Sequence, residues 1–187
     1  MTRIIGGAAG GRRLVVPSGR KTRPTSDRVR EGLFSALGSA LDSALGSDLS
    51  GRSFLDLYAG SGAVGLEAAS RGAAPVVLVE RDPLAARTVR ENVAALGFSD
   101  VVLRTDDVMR FLREPATPYD VVFVDPPYAD AVDGVLELLA GGGWVAAGGL
   151  VVVEREARGE PPQWPAGIVA DRDRRYGDSV LWYGRRP

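Results

Sequence analysis

The sequence predicts a doubly wound α/β fold on a mostly parallel sheet, with an antiparallel C-terminal edge and a short N-terminal β-hairpin arm. Three observations predict it. From residue 54 onward, short apolar runs alternate with stretches of helical periodicity, the pattern of alternating strands and crossover helices. The runs are almost continuously apolar rather than half-polar, as strands covered on both faces are. A glycine-rich loop, Gly60-Ser61-Gly62-Ala63-Val64-Gly65, follows the first run and opens a helical stretch, where folds of this class receive ligands.

The elements follow in order. Residues 1–24 are rich in Gly, Pro and Arg, and the short apolar runs Ile4-Ile5 and Leu14-Val15-Val16 flank the glycines of 6–11. Two short strands can pair around that turn, so 1–24 reads as a basic arm and 25–187 as the main domain. Val29, Leu33, Phe34, Leu37 and Leu41 recur at helical spacing behind the N-cap candidates Thr25, Ser26 and Asp27, and the helix is expected to end at Gly46. Strands are expected near 54–57, 76–80, 101–103, 120–124 and 150–153, with helices near 63–71, 83–96, 108–113 and 131–140. Pro83 suits a first helical turn, and Gly72 and Gly97 suit helix C-termini. Residues 168–170 and 180–183 read as a closing β pair.

Composition removes many chemistries. The 187 residues include no cysteine and no histidine, which excludes disulfides, Cys or His metal sites, Ser-His-Asp and Cys-His catalysis and a histidine base. No metal site is expected. No signal-peptide core opens the chain, and no apolar run approaches the roughly 20 residues of a membrane span. A soluble, cytoplasmic protein is expected, and a monomer, because no large apolar surface stripe stands out. The net charge of −1 conceals an asymmetry: residues 1–30 hold eight basic residues against Asp27 alone, +7, while the rest holds 15 basic and 23 acidic, −8. A basic arm on an acidic body points to a polyanionic partner met at one end.

Asp56-Leu57-Tyr58-Ala59-Gly60-Ser61-Gly62 forms the candidate cofactor loop, because glycines admit close backbone approach and the following helix presents its positive end. Gly60-x-Gly62-x-x-Gly65 alone does not separate a dinucleotide from S-adenosylmethionine. Glu80, followed by Arg81, ends the second strand, where a carboxylate can accept both hydroxyls of a ribose. Asp106, Asp107 and Val108 follow the third strand; either carboxylate could accept an adenine amino group, with Asp107 preferred. Asp125-Pro126-Pro127-Tyr128 follows the fourth strand. An exocyclic amine has its lone pair delocalised into the ring, and acceptors on both N–H groups favour a more nucleophilic nitrogen. Asp125 offers a carboxylate and Pro126 a carbonyl, the prolines fix the turn, and Tyr128 offers a stacking face for an extruded base. Hydride transfer has no use for this tetrapeptide, which favours S-adenosylmethionine. The residues themselves do not separate guanine N2 from adenine N6 or cytosine N4.

The pair of motifs, 56–62 and Asp125-Pro126-Pro127-Tyr128, resembles amino-methyltransferases of the class I Rossmann-like fold. Arg3-Ile4-Ile5-Gly6-Gly7, Gly11-Arg12-Arg13-Leu14, the stretch from Arg23 to Phe34, Ser70-Arg71-Gly72-Ala73 and Tyr176-Gly177-Asp178 are similar to the RsmD family. Tyr58 departs from the phenylalanine common in its loop motif, and the arm is richer in Gly and Ala. The resemblance implies an S-adenosylmethionine-dependent enzyme that methylates guanine N2 in 16S rRNA, on the small subunit or a late assembly intermediate. It implies that Gly60, Gly62 and Glu80 hold the cofactor with Asp107 near adenine. It further implies that Asp125, Pro126 and Tyr128 handle the amine, and that Arg3, Arg12, Arg13, Arg23, Arg28 and Arg30 grip phosphates. A DNA adenine-N6 methyltransferase and a non-catalytic RNA-binding assembly protein are the competing expectations.

Overall fold

A computed structural model describes residues 2–17, 25–41, 49–127 and 132–187. The chain opens with strands β1 (Thr2–Arg3) and β2 (Arg13–Leu14), followed by helix α1 (Asp27–Ala40). The alternating body runs β3 (Phe54–Asp56), α2 (Ala63–Ser70), β4 (Val76–Val79), α3 (Pro83–Leu96), β5 (Val101–Arg104) and α4 (Val108–Phe111). It continues through β6 (Tyr119–Val124), α5 (Asp133–Gly142) and β7 (Val145–Glu156), and closes with β8 (Val169–Tyr176) and β9 (Ser179–Arg185).

The main sheet has the order β5-β4-β3-β6-β7-β9-β8, parallel from β5 to β7 and antiparallel at the β7–β9 and β9–β8 pairings. The chain reverses its winding between β3 and β6, and in open α/β sheets the ligand crevice lies beyond the strand ends at that point. Alternate strand residues feed two cores. Phe54, Val76, Leu78, Phe123 and Val152 pack under α1, α2 and α3, while Leu55, Leu57, Val122, Val124 and Val153 pack against α4 and α5. The β-branched runs fit this two-sided burial.

Local chemistry sets the helix ends. Ser26 caps α1 by accepting from Val29 N–H, Asp82 caps α3 by accepting from Ala85 N–H, and Pro83 occupies the first turn. Gly97 closes α3 in the left-handed region. The expected stop of α1 at Gly46 lies outside the described residues; the helix ends at Ala40 with Leu41 as its C-cap. Two strands are longer than expected. β7 begins at Val145, which pairs with Tyr119 of β6, and the intervening Ala146 to Gly149 gave no apolar run to signal it. β8 extends to Tyr176 although its residues, from Asp171 to Arg175, alternate charges. It is an exposed edge strand, where charge is the usual guard against edge pairing.

The N-terminal hairpin is docked on the body. Ile4, Ala9 and Leu14 are buried in the core shared with α1 and α2. Glu67 on α2, fully buried, accepts from Ile5 N–H at 2.7 Å, Gly6 N–H at 2.9 Å and Arg71 Nε at 2.8 Å. Ser70 Oγ accepts from Ala9 N–H and donates to the Gly6 carbonyl. Gly7 has φ 74°, and a Cβ there would stand 1.9 Å from the Ser70 carbonyl oxygen, so the turn requires glycine.

Candidate active site

A cavity of about 950 Å³ opens above the C-terminal ends of the parallel strands. The strand register organises its floor. Leu78, Asp56, Phe123 and Val152 align across β4, β3, β6 and β7. Two residues further along β4, β6 and β7 come Glu80, Asp125 and Glu154, all lining the cavity, and Tyr58 from the loop after β3 lines it too. Neighbouring strands are about 4.8 Å apart. Glu80 therefore stands two strands from Asp125 on one side, and Glu154 stands one strand away on the other.

The glycine loop is held by carboxylates. Gly60 N–H donates to Glu80 Oε2 at 2.8 Å, Asp82 N–H donates to Glu80 Oε1 at 2.7 Å, and Gly65 N–H donates to Asp56 Oδ2 at 3.1 Å. Gly60 has φ 57°, and a Cβ built on it meets nothing within 4 Å, so its backbone faces open space. Asp56 is buried, and its Oδ1 has no hydrogen-bond partner. Burial raises its pKa to about 7; the Gly65 and Tyr58 N–H groups oppose the rise and the Glu80 charge adds to it. Tyr58, Ala59, Ser61, Arg81, Asp107 and Val108 also line the cavity. Gly62 does not line it and serves as the left-handed N-cap of α2. Asp107 caps α4 through Arg110 N–H. Asp106 turns away and accepts from Arg110 Nε and Asp107 N–H.

At the other end, Asp125, Pro126 and Pro127 line the cavity together with Thr25, Tyr176 and Ser179. Burial lifts the Asp125 pKa well above the usual carboxylate range; Glu154 and then Asp56 add to the rise, and Arg155 opposes it. Thr25 Oγ1 donates to Glu154 Oε2 at 3.2 Å. Tyr176 is pressed against Gly32 of α1 so closely that a Cβ there would lie 2.3 Å from its ring. Val16 and Pro17 reach the wall because Asn92 pins the preceding Val15 through both its N–H and its carbonyl, and also donates to the Ser61 carbonyl. Tyr128 and Arg23 lie outside the described residues.

Arg30 corrects an expectation. It is fully buried, its Nη2 donating to the Arg3 carbonyl at 2.8 Å and to Asp27 Oδ1 at 2.6 Å. It pins α1 to the hairpin and offers nothing to a phosphate; its place in a basic run masked the fact that it lies on the buried face with Val29, Leu33 and Phe34. Arg3, Arg12, Arg13 and Arg28 are exposed, Arg12 also donating to the Ala95 carbonyl. Glu67, Asn92 and Glu154 were not singled out from the sequence, and Thr25 was taken only as an N-cap candidate. A lone carboxylate at Glu67 in the apolar helical stretch 63–69, and one at Glu154 directly after the apolar run 150–153, were the available signals.

A family model described as "Conserved hypothetical protein 95" matches residues 2–185. The chain is 39% identical to ribosomal RNA small subunit methyltransferase D of Escherichia coli strain K12, over 92% of this chain and 83% of that protein. It is 34% identical to the protein of the same name from Haemophilus influenzae, over 82% of this chain and 78% of that one. A solved structure of a hypothetical protein from Thermus thermophilus superposes with TM-score 0.81 at 38% identity, covering 98% of each chain.

Proposed function

The chain belongs to the conserved hypothetical protein 95 family, the RsmD methyltransferases, and from that premise we propose that it transfers a methyl group from S-adenosylmethionine to the exocyclic N2 of a guanine in 16S rRNA. It acts on the small subunit or a late assembly intermediate, as a monomer. The observation that carries the reading is the rim row: Glu80 and Asp125 border one cavity with the glycine loop between them.

The residues present fit the cofactor. The open backbone at Gly60, the buried and unpaired Asp56 Oδ1 and the deeply set Glu80 carboxylate form a cradle for a nucleoside bearing donors. A carboxylate accepts about four hydrogen bonds, so Glu80 can hold the loop N–H groups and still take ribose hydroxyls. Asp107, with Val108 beside it, is placed to accept an adenine amino group. When bound, S-adenosylmethionine supplies an electrophilic methyl group.

The chain's own residues do the rest. Asp125 and the Pro126 carbonyl accept the two N–H bonds of the target amine and hold its lone pair toward the cofactor end. The proline pair keeps both acceptors in place. Tyr128 stacks on the extruded base. Arg3, Arg12, Arg13 and Arg28 meet rRNA phosphates along the hairpin and the start of α1, and Arg23 is assigned the same role. No helix among the described residues is long and apolar enough to cross a membrane.

The reading is tested by incubating the protein with methyl-labelled S-adenosylmethionine and small subunits that lack the modification, then digesting the rRNA to nucleosides. Label is expected in N2-methylguanosine. Label in another nucleoside overturns the base assignment.

A further inference from the structure

Asp125 and the Pro126 carbonyl can accept from the amine of guanine, adenine or cytosine alike. The bases differ in the ring atom beside that amine. Guanine N1 carries a hydrogen and donates; adenine N1 and cytosine N3 carry lone pairs and accept. A second acceptor next to Asp125 therefore selects guanine and repels the other two.

We propose that Glu154 is that acceptor: its carboxylate takes the N1–H of the target guanine while Asp125 takes an N2–H. The assignment rests on the reading of the site as a guanine-N2 methyltransferase. Three features carry it. Glu154 lies one strand beyond Asp125 on the rim row, on the side away from Glu80 and the glycine loop. The base edge thus lies at one end of the row and the methyl donor at the other. Glu154 is 5% exposed at the end of the apolar run Val151–Val153, where folding alone favours another apolar residue. Thr25 Oγ1 holds one of its oxygens at 3.2 Å. That donation helps to orient the group, which as a carboxylate offers about four acceptor sites in all. Asp125 is buried with the charge of Glu154 close by, and ring donors entering between the two carboxylates would bridge both.

The test uses 2-aminopurine, which keeps the 2-amino group but has a lone pair at N1. Small subunits are reconstituted with guanosine or 2-aminopurine riboside at the target position, and kcat/KM for methyl transfer is measured with the full chain. The wild type is expected to prefer guanosine strongly. Glu154→Gln replaces an acceptor with an amide that can donate to N1, so the guanosine to 2-aminopurine ratio is expected to fall at least about 100-fold. Binding of S-adenosylhomocysteine, measured by calorimetry, is expected to stay as in the wild type. Thr25→Val, which withdraws only the orienting hydroxyl, is expected to move the same ratio in the same direction by about tenfold, and serves if the glutamine variant does not fold. Normal transfer to guanosine N2 by the wild type with an unmoved ratio in both variants overturns the assignment of Glu154 alone. Failure of the wild type to methylate guanosine N2 overturns the underlying reading and this assignment with it.

Discussion

At the β4 end of the cavity, one run of chain, 56–61, supplies most of the wall, with Glu80 and Asp107 closing it from the tips of the next two strands. At the β7 end, Thr25, Asp125, Glu154 and Tyr176 arrive from segments far apart in sequence. The first end works largely through backbone: glycine conformations and N–H groups held by Asp56 and Glu80. The second works through side chains set in place by strand register. The contrast teaches that a common ligand can be gripped by a local motif, whereas recognition of one base is assembled by tertiary structure.

The sharpest way to break that division is at Asp125. Asp125→Asn is expected to lower kcat about a thousandfold by replacing a charged acceptor with a group that also donates, while S-adenosylhomocysteine binding stays unchanged in calorimetry. Lost cofactor binding in that variant would show that the two ends are one site. Asp125 also sets a pH dependence. Its pKa is raised, so the accepting carboxylate form is present only above the usual carboxylate range, and kcat/KM is expected to climb with pH through that raised value. Asp56→Asn removes one of the charges that raise it, and the climb is expected at lower pH; a limb that stays put argues against coupling between the two ends.

Glu80→Ala attacks the other end. It withdraws the carboxylate from Gly60 and Asp82 N–H groups and from the proposed ribose contact. Cofactor affinity is expected to fall about 10- to 100-fold, the worth of one or two charge-assisted hydrogen bonds. Turnover at saturating cofactor is expected to change far less. A variant that binds normally but turns over slowly reverses the assignment of the two ends.

Asp56→Asn separates stability from activity at the same boundary. The Asp56 pKa is raised to about 7 from 3.8, chiefly by burial. A raised carboxylate favours folding at low pH, where it is protonated, and that contribution is lost as pH rises through the folded value. Unfolding by urea is expected to show the asparagine variant gaining about 2 kcal/mol on the wild type between about pH 5.5 and about pH 7.5. A constant difference across that range would mean that Asp56 ionises normally in the folded protein.

Legibility in the sequence follows the same line. The alternation of strands and helices was readable because burial on both faces leaves continuous apolar runs, as in 121–124 and 150–153, and caps such as Asp82-Pro83 and Gly97 are local signals. The glycine loop, Glu80 and Asp125 were readable because each sits where a strand ends. Glu154 was not, because nothing beside it in sequence reveals that β7 runs next to β6. The edge strand β8 was read short because its stability comes from pairing with β9 and not from an apolar face. The hairpin looked like a free basic arm, since only the fold brings Glu67 and Ser70 to its backbone.

That docking changes how the basic face has to be tested. Deleting the arm would strip Ile4, Ala9 and Leu14 from the core, so loss of RNA binding would report unfolding. Single charges are cleaner, and two arginines in one helical turn make the comparison. Arg28 is exposed, whereas Arg30 is buried and bonded to Arg3 and Asp27. Each phosphate contact contributes about 0.7 to 0.9 to the slope of log affinity against log salt, depending on the nucleic acid. Arg28→Ala is therefore expected to flatten the slope for small-subunit binding by about that amount, so that its fall in affinity between about 0.05 and 0.2 M salt is only about threefold smaller than the wild type's. Arg30→Ala is expected to leave the slope unchanged and to cost about 3 kcal/mol of folding stability, because it empties the space of a fully buried side chain and strips the Arg3 and Ala63 carbonyls of their donor. Filter binding across a salt series and urea unfolding read the two quantities separately. If Arg28→Ala leaves the slope intact, the start of α1 is not on the RNA face, and the phosphates are met elsewhere on the hairpin.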